Sequence, residues 1–189
     1  MALLSDSAPP PRILVVYYSR DGHTRRVAQR LAAVCGADVE EIQELGERRG
    51  PWGTVRSWLE GLLHMAASIR PGSRNPQDYA LVVLGTPVWT RQVASPMRRY
   101  LQVQAGRLPP LVATFCTHGG RPGGALEALG DLCQRTPVAT LALADQVCDD
   151  PSSWRALQRF ARELQQRVAA QGGGDDAVRR RPPRVAQAA

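Results

Sequence analysis

Four largely apolar runs stand out along the chain: ILVVYY at 13–18, YALVVLG at 79–85, LVATFCT at 111–117 and PVATLAL at 137–143. The first two are rich in β-branched or aromatic side chains, which is how a strand covered on both faces reads, and the other two predict further strands. Between the runs the period changes. After Thr24, Val27, Ala28, Leu31, Ala32 and Cys35 recur at helical spacing until Gly36 ends the pattern. Ala37 to Ile42 is long enough for a further short strand. Val55, Trp58, Leu59, Leu62, Ala66 and Ile69 predict an amphipathic helix capped near Thr54, between the breaker-rich residues 43–53 and the turn PGSRNP. Ser95 and Pro96 read as the N-cap and first residue of another helix, with Met97, Tyr100 and Leu101 inward. HGGRPGG leads into a helix carrying Leu126, Leu129, Leu132 and Cys133. Asp150-Pro151 opens a last helix with Trp154, Leu157, Phe160 (or Ala161) and Leu164 on its inner side.

Strands and helices therefore alternate about five times, the signature of an α/β domain with a parallel sheet and helices on both faces. The expected boundaries are a disordered segment at 1–11, one folded domain at 12–170 and a loose Arg/Pro-rich tail at 171–189. A sheet of this kind binds ligands outside the carboxyl ends of its strands.

Composition narrows the function classes. Apolar residues make up 43% of 189, ordinary for a soluble domain, and no run approaches the roughly 20 residues of a membrane span. The opening MALLSDSAPPPR lacks a charged segment followed by a long apolar stretch, so no secretory leader and a cytoplasmic location are expected. Cys35, Cys116, Cys133 and Cys148 form no C-x-x-C pair and fit no zinc spacing, so no metal site is expected. They suit small apolar core positions, or a redox pair that only the fold brings together. The net charge is +7, and all 24 basic residues are arginine. Between the two flexible ends 20 arginines still face 14 acids, so the domain itself favours an acidic partner. With aromatics at 5% and none laddered among the arginines, nucleic-acid binding is not expected. RRRPPR near the C-terminus suits such a role, but charge runs of this kind are usually solvated tails.

The chemistry concentrates in three loops that follow strong strands and would share one sheet edge. SRDGHT follows the first. Ser19 and Thr24 offer hydroxyls, Gly22 permits a positive φ, and Thr24 stands at a helix start, where free N–H groups attract anions. A plain N-cap beside a glycine turn explains Thr24 equally well. TPVWTRQVASP follows the next, and places Trp89 in a polar turn, where an indole can stack on a flat ligand or pack beneath its own loop. THGGRPGG follows the third; Gly119 and Gly120 let a planar ring approach the backbone, and His118 is either a donor to it or an exposed loop residue. Neither G-x-G-x-x-G nor a Walker lysine is present.

SRDGHT, GTPVW and CTHGG, taken together over residues 12–168, resemble the flavodoxin-like family. The resemblance implies a three-layer, doubly wound, five-stranded parallel sheet in the order 2-1-3-4-5, with FMN at the point where the strand order reverses. It assigns Ser19, Arg20, Asp21, Gly22, His23 and Thr24 to the phosphate. Thr86, Pro87, Val88, Trp89 and Thr90 would flank the isoalloxazine, with Trp89 stacking, and Cys116, Thr117, His118, Gly119 and Gly120 would meet its other edge. No catalytic residue is implied. The family's phosphate loop commonly carries a hydroxyl where this chain has Asp21, so that carboxylate must turn away or pair with Arg20 or Arg25.

The expected function is a non-covalent FMN redox protein carrying electrons or hydride, served by a reductase or redox partner with an acidic surface. The alternatives are a flavin-dependent oxidoreductase on a quinone- or porphyrinogen-like substrate, covered by residues 43–75, and a flavin-free binding module on the same fold. The sequence sets no oligomeric state.

Overall fold

The computed structural model describes residues 12–45, 68–148 and 150–179. Strands β1 (Ile13–Tyr17), β2 (Asp38–Glu41), β3 (Leu81–Trp89), β5 (Leu111–His118) and β6 (Thr140–Ala144) pair in parallel in the order β2-β1-β3-β5-β6. The short β4 (Gln92–Val93) pairs antiparallel with the end of β3. Leaving β4 aside, the parallel strands follow the expected 2-1-3-4-5 order.

Side chains alternate across the sheet, and each face has its own core. Ile13, Val15, Val83, Ala113 and Phe115 meet α1 (His23–Cys35) and α4 (Pro151–Arg179) through Val27, Leu31, Leu157, Phe160 and Leu164. Leu14, Val16, Val82, Leu84 and Val112 meet α2 (Ser95–Gln104) and α3 (Ala125–Cys133) through Met97, Tyr100, Leu101 and Leu129. The three-layer reading holds. No helix among the described residues is long and apolar enough to cross a membrane.

Several local expectations change. β3 runs on past Gly85 to Trp89, so TPVW is strand rather than loop. α2 has Ala94, not Ser95, as its N-cap, and no side chain caps it. Trp154 is 40% exposed, because Ser153 takes the inward place at the start of α4. That helix continues through Gly172-Gly173-Gly174 to Arg179, beyond the expected end of the domain at 170. The remaining tail from 180, the segment 1–11 and most of the predicted helix of Thr54, Val55, Trp58, Leu59, Leu62 and Ala66 lie outside the described residues. Ile69, expected at the end of that helix, instead forms an antiparallel bridge with Glu44.

Candidate functional site

The three loops meet at the carboxyl edge of β1, β3 and β5. The first turns at Gly22, whose φ of 88° is left-handed, and its N–H donates to Ser19 Oγ at 3.2 Å. α1 begins at His23 with Gly22 as N-cap, so Thr24 is not the cap. No side chain caps this helix and its first turn has no acid. Its free N–H groups and the positive end of its dipole are therefore set for an anion. Arg25 and Arg26 lie in that same turn, where their charge opposes the dipole; a bound anion would relieve both.

Thr24 is buried, and its Oγ1 lies 2.9 Å from Oγ1 of Thr117 on β5. Two hydroxyls carry two protons, one of which spans the pair, leaving one to donate elsewhere. This bond clamps the first loop to the third. Asp21 is exposed. Arg25 is engaged by Glu41 at 2.6 Å, and the Arg20 guanidinium lies 5.7 Å from the centre of the Trp89 ring, so both arginines have other work than pairing Asp21.

The second loop is a hairpin. Thr86 is buried; its Oγ1 donates to Pro87 O at 3.0 Å and accepts from Ala94 N at 3.2 Å, closing the hairpin base. Pro87, Val88 and Trp89 are half-buried, and Thr90 is exposed. Trp89 stands edge-on to Tyr18, with centroids 5.5 Å apart and planes at 89°. The chain then reverses through Thr90 (φ 49°) and Arg91 (φ 63°), opposite Val88–Val93 and Trp89–Gln92 pairing. That is the backbone of a two-residue mirror-image turn, which normally takes Asn-Gly; a β-branched threonine there is strained.

The third loop grips this turn. Gly123 has φ 57°, and a Cβ on it would come within 2.8 Å of Arg91 Cβ. Cys116 and Thr117 are interior residues of β5. Burial, and secondarily the charge of Asp145, pushes the Cys116 thiol up to about 12, so it is an inert filler. Gly119 and Gly120 are exposed at the edge, while His118 is half-buried with Nδ1 lacking any hydrogen-bond partner. Asp145 Oδ1, in the turn after β6, is likewise buried and unpartnered.

Of the residues expected at the site, Ser19 and Thr24 are buried at the first turn and the start of α1, and Thr86, Cys116 and Thr117 are buried in β3 and β5, whereas Trp89, His118, Gly119 and Gly120 border the edge and Arg20, Asp21 and Thr90 are exposed. Sequence reasoning missed Tyr18, which it counted as plain strand, and the Thr90-Arg91 turn, which lacks Asn-Gly. A cavity of about 290 Å³ lies elsewhere, beside β2, between Glu40, Ile42, Gly72 and Tyr100.

The sequence matches the family described as Flavodoxin over residues 12–142. The chain belongs to the flavodoxin family. A flavoprotein from Lactobacillus acidophilus in complex with FMN is 20% identical with a TM-score of 0.60, covering 75% of this chain and 99% of its own. A flavodoxin, WrbA-like protein from Agrobacterium tumefaciens is 17% identical with a TM-score of 0.56, over 85% of this chain and 96% of its own. The rubredoxin oxygen:oxidoreductase of Desulfovibrio gigas is 16% identical with a TM-score of 0.57, over 84% of this chain but 36% of its own. At these identities the three establish a shared fold. No match was found among curated proteins.

Proposed function

We propose that this flavodoxin-family chain binds FMN at the three-loop edge and serves as a redox protein. The observation that carries the reading is the uncapped, acid-free N-terminus of α1, clamped by Thr24–Thr117 beside the half-buried Trp89. A phosphate suits the free N–H groups of α1, with Ser19 and Arg20 beside them. Trp89 offers a stacking face, and Gly119 and Gly120 offer backbone to the edge of a ring. The unpartnered His118 Nδ1 is a polar atom such a ring could satisfy. When bound, the flavin supplies reversible electron transfer, and the protein supplies its binding and orientation. The arginine-rich surface favours a reductase or acceptor with an acidic face.

A flavin-free binding module is the second reading. It is favoured by Asp21, an acid in the loop that would hold the phosphate, and by the commitment of one of the two Thr24 and Thr117 hydroxyl protons to the bond between them. The deciding measurement is the visible spectrum of the purified protein, before and after incubation with FMN and desalting. Retained flavin bands, shifted from those of free FMN, support the first reading. A colourless protein in both samples supports the second.

A further inference from the structure

Beside the first loop, three side chains from distant parts of the chain come together. His23 opens α1, while Asp145 and Cys148 lie in the turn after β6. A ring nitrogen of His23, a carboxylate oxygen of Asp145 and Sγ of Cys148 all lie within 4.8 Å of one another. We propose that these residues form a binding site for a borderline divalent cation of the zinc type, with three protein ligands and an open fourth position.

The donor set fits that ion class: one thiolate, one imidazole and one carboxylate. Tetrahedral zinc needs ligand atoms about 3.3–3.6 Å apart, given bonds of about 2.0–2.3 Å, so closure asks for a shift on the order of an ångström. Two thiolate and carboxylate charges would neutralise the dication. A second observation points the same way. Asp145 Oδ1 is buried without a hydrogen-bond partner, an oxygen that calls for a cation.

The Arg26 guanidinium lies 2.7 Å from His23 Nδ1, and arginine can only donate, so that nitrogen carries a lone pair already engaged by a cation. An ion held through Nδ1 has to displace Arg26, and one held through Nε2 has to displace the ring proton. Cys148 is nearly buried and donates its thiol proton to Ala144 O at 3.3 Å; on metal binding that proton leaves to solvent. Arg30, bonded to Cys148 O at 2.7 Å, holds the turn but adds positive charge nearby, which limits affinity. The half-buried His23 and Asp145 give the ion its way in. The site would tie the start of α1 to the turn after β6.

The test is a titration of the purified full-length chain with Co²⁺, followed by difference spectra and then by Zn²⁺ competition. The expected result is one Co²⁺ per chain with a thiolate-to-metal charge-transfer band. The band should vanish in Cys148→Ser, and affinity should fall about tenfold or more in Asp145→Asn. It should persist in Cys35→Ser, which removes a half-exposed thiol outside the cluster. Circular dichroism confirms that each variant folds; Asp145→Asn keeps the test valid if Cys148→Ser does not. No saturable band, a band unchanged in both cluster variants, or a band lost in Cys35→Ser would each overturn the proposal. None of these readouts depends on flavin being bound.

Discussion

The buried hydroxyl pair of Thr24 and Thr117 should behave as a coupled unit, and a double-mutant cycle can measure it. Valine has nearly the shape of threonine, and the two residues rank alike in helix and strand preference, so the backbone contributions largely cancel. Either single change to valine strands one buried hydroxyl and should destabilise the protein by about 1–3 kcal/mol. For a domain of this size each kilocalorie lowers Tm by about 2–4 °C, so each single variant should melt about 2–12 °C below the parent. Replacing both leaves no hydroxyl to satisfy. The double variant should therefore lose clearly less than the sum of the singles, with an interaction energy of about 1 kcal/mol or more. Urea denaturation of the parent, Thr24→Val, Thr117→Val and the double variant, followed by far-ultraviolet circular dichroism, gives all four corners. Strict additivity would refute the clamp and, with it, the coupling of the first and third loops.

Other consequences can be checked directly. If FMN stacks on Trp89, Trp89→Leu should weaken its binding by about 2- to 13-fold, from the roughly 0.5–1.5 kcal/mol that aromatic pairing adds; unchanged affinity in a fluorescence titration would place the ring elsewhere. Gly123→Ala combines a left-handed φ with a 2.8 Å approach to Arg91 Cβ, and should destabilise by about 1–3 kcal/mol in urea; a neutral effect would show that the hairpin tip is not gripped. The Tyr79 hydroxyl above all, then Arg12 and Arg74, holds the Asp38 carboxyl below its ordinary range. Its stabilising contribution is complete above the unfolded value near about 4 and is lost as pH falls through the lower folded value. Asp38→Asn should thus flatten the acid limb of the stability profile, and an unaltered limb would remove Asp38 from the account.

The central strands were legible because both of their faces are covered, which leaves a continuous apolar signal at 13–17, 81–84 and 112–116. The end of β3 was not, since Gly85-Thr86-Pro87 carries turn composition. Pro87 is tolerated there for a local reason. Pairing with β1 ends at Gly85, and Pro87 keeps only its β5 neighbour, so its missing N–H is not asked to bond. Trp154 read as inward from spacing alone, but its neighbour Ser153 takes that place. The loops were legible as chemistry, through Ser19, Gly22, Trp89 and Gly119. Their mutual contacts were not, because Thr24 and Thr117, or His23 and Cys148, are far apart in the chain and meet only once the fold gathers the loops that follow β1, β5 and β6 at one edge of the sheet.

The reversal at Thr90-Arg91 bears on what this domain could become. Two non-glycine residues in the left-handed region cost about 1–2 kcal/mol each against the alternatives open to them. Fitness for folding alone favours asparagine and glycine at these positions. The chain therefore has reserve stability stored at one accessible corner of the sheet. An engineer seeking a hardier version has a first place to look, and because that corner borders the three-loop edge, the same exchange would reveal how far the edge depends on its present side chains.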